Sequence, residues 1–171
     1  MQYASTRSPQ ERQPRKLIAL PSSRTTGASS QFQRGQHYLI LNNRSGFAAD
    51  IEDASTKAGA RVISYPRHAG PNQQWLFEGR RNGYFRIRSV QSGKCLQAHG
   101  VRRTVVQRKC GNSMAQQWKL PQQGDAYFIQ SRSRSLVLGE RRRNTGDLVL
   151  QRMSYRASHY QTWVMEKPVA Y

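Results

Sequence analysis

The side chains in this chain best suited to doing chemistry are guanidiniums. Arg102-Arg103 and Arg141-Arg142-Arg143 form two dense runs, Arg108 stands between them, and Arg80-Arg81 adds a third cluster. The whole chain carries 28 Lys plus Arg against 9 Asp plus Glu, a formal net charge of +19. A guanidinium presents a planar fork of donors, so these runs favour bidentate contact with phosphate, sulfate or carboxylate. A field of this sign draws polyanions: nucleic acid, sulfated glycan, anionic lipid or an acidic protein surface. Patterns for catalysis are missing from the sequence. It holds no Gly-x-Ser-x-Gly elbow, no His-Glu-x-x-His, no phosphate-binding glycine loop and no Cys/His set with metal spacing. The four histidines, His37, His68, His99 and His159, are scattered, and none has a patterned acidic partner. The expectation is a binding module that is not an enzyme and uses no cofactor or metal.

The elements that position these groups follow from an internal repeat. All three tryptophans close the same motif: Gln73-Gln74-Trp75, Gln116-Gln117-Trp118 and Gln161-Thr162-Trp163, with the tryptophans 43 and 45 residues apart. Each unit opens on an aromatic strand, at Tyr38-Leu39-Ile40-Leu41, Tyr84-Phe85-Arg86-Ile87 and Tyr127-Phe128-Ile129-Gln130. Short apolar runs lie between, at Arg61-Val62-Ile63, Thr104-Val105-Val106 and Leu148-Val149-Leu150, separated by turn-forming residues. No long stretch has helical periodicity, so the chain reads as all-β. Closing a propeller takes typically 4–8 blades, more than three units supply; three-fold closure into one barrel removes the sheet edges. The repeats fall at about 37–82, 83–125 and 126–166, within a domain spanning 36–171. Residues 1–35 are rich in Ser, Arg, Gln and Pro and read as a flexible basic arm, unable to offset its ordering entropy by burial. The same composition fits an organellar transit peptide, and no apolar secretory signal is visible.

Three Gln-x-Trp motifs at this spacing resemble the ricin-B-type lectins, whose fold is the β-trefoil, over about residues 37–166. In the motif itself, a large indole seeks burial and an acceptor for its N–H, and the glutamine has both donor and acceptor groups to tie strand to loop. Gln73, Trp75, Gln116, Trp118, Gln161 and Trp163 are therefore scaffold. The resemblance implies a sugar site made of an early Asp, a later aromatic ring and an Asn before Gln-x-Trp. The first repeat supplies all of these in Asp50, Tyr65, Asn72 and Gln73, with Ile63 where the family usually has a polar side chain. The implied ligands are glycans, galactose-type or sulfated. In the second repeat Gln97, Arg108 and Ala115 stand in the corresponding places; in the third, counting back from Trp163 gives Leu138, Met153 and Tyr160.

Arginine replaces what these two repeats have lost. Arg102, Arg103 and Arg108 in the second and Arg141, Arg142 and Arg143 in the third read as anion-binding patches, whereas the first carries Glu52 and Asp53 in the matching loop. Cys95 and Cys110 lie where ricin-type repeats carry an internal disulfide. A bridge implies an oxidising compartment, hence a secreted or extracellular protein; an organellar or intracellular complex is the alternative. Two functional readings follow. One is a non-catalytic lectin with a single sugar site. The other is a basic subunit of a larger assembly, with the trefoil as scaffold and the arm and arginine loops binding RNA, acidic lipid or acidic protein.

Overall fold

A computed structural model describes residues 32–141, 146–156 and 158–169. Among these residues fourteen strands form one continuous antiparallel sheet. They are β1 (His37–Asn42), β2 (Ala48–Ile51), β3 (Val62–Tyr65), β4 (Gln74–Gly79), β5 (Phe85–Ser89), β6 (Cys95–Gln97) and β7 (Val106–Arg108), followed by β8 (Trp118–Lys119), β9 (Gln122–Gln123), β10 (Ala126–Phe128), β11 (Gln130–Ser131), β12 (Val137–Glu140), β13 (Leu148–Gln151) and β14 (Thr162–Glu166). Among the described residues the only helical pieces are single 3-10 turns.

The strands close on themselves. β1 pairs with β4, β4 with β5, β5 with β8 and β8 with β11; the run β10–β11 acts as one interrupted strand, and β10 pairs with β14, which returns to β1. Three hairpins, β2–β3, β6–β7 and β12–β13, project from one end of this barrel. They hold one another across a three-fold arrangement: the Val62 N–H donates to the Val105 carbonyl at 2.9 Å, and the Val105 N–H to the Leu148 carbonyl at 2.9 Å. The fold is a β-trefoil, as the repeats predict.

Its core is built from the repeated residues. Trp75, Trp118 and Trp163 are fully buried, and their indole N–H groups donate to the carbonyls of Ala49, Leu96 and Leu138 at 2.9, 3.1 and 3.1 Å. Alternation along β5, with Phe85, Ile87 and Ser89 buried and Arg86 and Arg88 half-buried, turns one face inward. Phe32, inside the segment read from sequence as arm, is also buried. It stacks on Phe77 at 4.4 Å and meets Tyr38 and Phe85 edge-on at 5.3 and 5.4 Å. These contacts put it at the barrel end where β1 begins and β4 runs out, opposite the hairpins. The rest of the arm, residues 1–31, lies outside the described residues.

Candidate functional site

Each Gln-x-Trp glutamine pins a loop below one hairpin. In the first lobe the buried Gln73 accepts from the N–H groups of His68 and Ala69 at 2.9 and 3.0 Å and donates to the Pro66 carbonyl at 3.0 Å. Gln116 does the same with Gly111 and Lys109, and Gln161 with Ser154 and Arg152. In each lobe the amide N–H has one further acceptor, and that acceptor separates the lobes. It is the Asp50 carboxylate at 2.8 Å in the first, Gln97 at 2.9 Å in the second and Gln151 at 3.1 Å in the third.

Asp50 is the chemical centre of the first lobe. It sits on β2, paired across to Ile63, and is only 3% exposed. Burial raises its pKa above the ordinary value of 3.8, because a desolvated carboxylate is costly. Hydrogen bonds from Gln73 and His68, the imidazole's charge and a hydrogen bond from Asn72 oppose that rise. Asn72 donates to Oδ1 at 3.0 Å. His68 Nε2 lies 3.2 Å from Oδ2. Gly70 N–H donates to His68 Nδ1 at 3.1 Å, which leaves Nε2 as the ring nitrogen that faces the carboxylate as a donor. Tyr65, half exposed, stands beside His68 with ring centroids 6.1 Å apart. Asp50, Tyr65, Asn72 and Gln73 are thus brought together, with acceptors at the floor and an aromatic ring at the rim.

His68 is a residue of this cluster that the sequence reading did not single out: no sequence pattern pairs it with an acid, and the fold brings it against Asp50. Local backbone puts it there. Ala69 takes a left-handed φ of 57°, held by Gln73, and a Cβ on Gly70 would come within 2.8 Å of His68 Nδ1. Arg67 beside it forms a two-pronged ion pair with Glu166 of β14, at 2.9 and 2.8 Å, which anchors the loop to the barrel.

The other lobes correct the register read from sequence. The Trp163 indole is bonded to Leu138, as Trp75 is to Ala49, so the third-lobe counterpart of Asp50 is Gly139, not Leu138. Val137 pairs with Gln151 as Ala48 pairs with Tyr65, so Gln151, not Met153, holds the aromatic position. Gln151 also fills the space left by the missing side chain, since a Cβ on Gly139 would lie 3.2 Å from its amide. In the second lobe Arg108 does take the ring position, opposite Cys95.

The predicted anion-binding arginines are spread unevenly. Arg102, at a left-handed φ of 59°, turns toward the third lobe: its N–H donates to the Leu150 carbonyl, and Arg141 donates to the Arg102 carbonyl at 2.7 Å. Arg102, Arg141 and Arg152 line a cavity of about 550 Å³ with Val101, Val149 and Gln151. Arg141 is also 3.6 Å from Asp147. Arg103 folds its stem over Gly100, and Arg108 lies over Gly59 of the first lobe. Arg142 and Arg143 fall outside the described residues. Glu52 is committed to Arg61, whose guanidinium holds its carboxyl below the ordinary range. Cys95 and Cys110 form the expected disulfide, with Cα atoms 5.1 Å apart. Among the described residues no cluster of His, Cys, Asp and Glu could hold a metal.

The family model described as a ricin-type beta-trefoil lectin domain-like unit matches residues 28–100 and 71–152. The chain belongs to this family. Carbohydrate binding is the general function that membership supports, and lectin-like domains of this kind are generally non-catalytic. A comparison with curated protein sequences finds no relative. Among solved structures, the designed three-fold symmetric protein ThreeFoil is 28% identical, with a TM-score of 0.72 over 77% of this chain and 99% of its own. The ricin B-like lectin of Macrolepiota procera, solved in complex with lactose, is 24% identical at a TM-score of 0.64, covering 80% and 98%. An exo-β-1,3-galactanase from Clostridium thermocellum is 22% identical at a TM-score of 0.72; the match covers 80% of this chain and 31% of that enzyme.

Proposed function

We propose that this chain is a non-catalytic carbohydrate-binding domain with one working sugar site, in the first lobe. The observation that carries the proposal is the retention there, and not in the other lobes, of a buried carboxylate beneath an exposed ring. Asp50 Oδ1 takes one side-chain donor, from Asn72 at 3.0 Å, and a carboxylate oxygen accepts two. A sugar hydroxyl fits the second place. Tyr65 then covers the apolar face of the pyranose ring, and Asn72 and His68 contact its polar edge. Gln73 is held too firmly by its loop to leave it, and serves by orienting Asp50. A galactose-type ring, with adjacent hydroxyls on one edge and an apolar patch on one face, is the ligand proposed. A protein with this disulfide and a glycan ligand fits an extracellular setting.

A second reading is favoured by one specific observation, the cavity bounded by Arg102, Arg141 and Arg152. There the trefoil serves as scaffold for contact with RNA, acidic lipid or an acidic protein surface. A glycan array probed at two salt concentrations, with an Asp50→Ala variant alongside, separates the two. Binding to neutral galactosides that survives salt and drops about 10- to 100-fold in the variant, the range expected for losing charged hydrogen bonds, supports the sugar site. Binding confined to polyanions, lost in salt and indifferent to Asp50, moves the function to the arginines.

A further inference from the structure

A different group of cations, outside all three sugar positions, surrounds Tyr84. The turn between β4 and β5 brings in Arg80, Arg81 and Asn82; the loop ahead of β8 adds Asn112 and Gln117, and the end of β11 adds Arg132. Together they line a cavity of about 480 Å³. Two of the guanidiniums are held in place by neutral amide oxygens. Arg80 donates to Asn112 Oδ1 at 2.7 Å and Arg132 to Gln117 Oε1 at 2.6 Å, while Gln117 donates in turn to the Asn112 carbonyl at 3.1 Å. Arg132 and Lys119 both sit over the Tyr84 ring, 4.8 and 4.9 Å from its centroid. Among the described residues neither Arg80, Arg81, Arg132 nor Lys119 takes part in an ion pair. The nearby Glu78 is taken by Arg86 and Arg88 at 2.6 and 2.8 Å. The converging cations leave a positive field at the cavity with no acidic partner among the described residues, which favours an anion there.

The three-fold repeat shows that this cluster is not an inherited feature of the scaffold. The carbonyl of the middle residue of each Gln-x-Trp motif accepts a backbone hydrogen bond, from Val90 at Gln74, from Arg132 at Gln117 and from Asn43 at Thr162. Only the Gln117 pair puts a cation at this place.

We propose that this cavity binds a sulfate ester carried on a glycan. A tetrahedral oxyanion matches the guanidinium forks of Arg80 and Arg132, with the exposed Arg81 closing over it. The amides of Asn82, Asn112 and Gln117 suit the hydroxyls of the sugar that bears the ester. Nucleic acid fits less well. Single-stranded binding uses aromatic faces for base stacking, whereas the cavity lining has no aromatic ring and Tyr84 is already occupied by two cations. The site is independent of Asp50, so it stands or falls apart from the first-lobe proposal.

The test uses the full chain and titrates, by calorimetry, a heparin-derived tetrasaccharide, its chemically desulfated counterpart and a short oligo-dT. The wild type should bind the sulfated tetrasaccharide and not the desulfated one. Arg80→Ala/Arg132→Ala should weaken binding by roughly tenfold or more. Arg81→Ala, which removes no side-chain hydrogen bond among the described residues, should weaken it by a smaller factor and so guards against misfolding of the double variant. Lys57→Ala/Arg156→Ala, an equal loss of charge at two exposed positions elsewhere, should change affinity less than about threefold. Asp50→Ala should change nothing. Equal losses in the two double variants would mean that only diffuse charge attracts the ligand, and would overturn the proposal. So would oligo-dT binding as tight as the sulfated ligand's with the same dependence on Arg80 and Arg132, which would make the cavity a nucleic-acid phosphate site.

Discussion

At the scale of single residues, the first-lobe site turns on the ionisation of Asp50. Accepting sugar hydroxyls requires the carboxylate, and burial raises its pKa above 3.8 while Gln73, His68 and Asn72 donors hold it back. Sugar affinity should therefore be full at neutral pH and fall on acidification with a midpoint above 3.8. The stability contribution runs the other way. A raised value means that the folded chain holds the proton more tightly than the unfolded one, so Asp50's contribution declines as pH rises from 3.8 through the folded value. Affinity for a galactoside and urea stability, both measured from pH 7 to pH 3, should separate in this way; a binding midpoint at or below 3.8 would count against Asp50 as the acceptor. Family spacing from Trp75 made Asp50 itself legible from sequence, with two of the residues around its carboxylate, Asn72 and Gln73. His68 was not. It reaches Asp50 only through the left-handed turn at Ala69 and the close approach at Gly70, and no periodicity records such a turn.

At the scale of elements, the β6–β7 hairpin is the one closed covalently. The Cys95–Cys110 bridge spans 15 residues, a loop whose closure stabilises by about 3 kcal/mol in the chain-entropy account. Reduction, or Cys95→Ser/Cys110→Ser, should lower Tm by roughly 10 °C for a domain of this size. The Asp50 site should be untouched in the remaining folded fraction, because no atom of β6–β7 contributes to it. Calorimetric melting with and without reductant measures this, and a shift below about 2 °C would mean that the hairpin is held by its strand pairing alone. The hairpins also mark where sequence reasoning lost its register. Tyr65 and Arg108 both lie ten residues before their tryptophan, but Gln151 lies twelve before Trp163. Two extra residues in the last loop shift any count made from the motif. The strand pairing is indifferent to them, because Val137 still meets Gln151 as Ala48 meets Tyr65. Repeat number and strand order survive such an insertion, whereas the identity of a pocket residue does not.

At the scale of the whole molecule, the barrel has two unlike ends. The three hairpins knit one end together through backbone hydrogen bonds between lobes, but at the other the strands simply run out into turns. Phe32 fills that second end. It is the sole aromatic between Tyr3 and Tyr38 and is surrounded in sequence by polar residues, so nothing local distinguishes it from the arm. Its burial exists only once β1, β4 and β5 have closed and brought Tyr38, Phe77 and Phe85 together, a long-range condition that pattern reading cannot see. Four ring contacts then form at once, including one to Tyr127 of the third repeat at 6.1 Å. Replacing a buried Phe by Ala typically costs about 3–5 kcal/mol, with the upper end reached where neighbours cannot collapse into the gap. Tyr38, Phe77 and Phe85 are fixed by sheet pairing, so the upper half of that range is expected for Phe32→Ala. Phe32→Leu should recover most of the loss by restoring bulk without the ring stacking. Urea unfolding of the full chain reads both, with an unchanged m-value showing that the folded state stays compact. A loss under about 1 kcal/mol for Phe32→Ala would mean that the three repeats are self-sufficient. A loss in the expected range would extend the folding unit upstream of the first repeat, to a residue that is no part of the three-fold pattern.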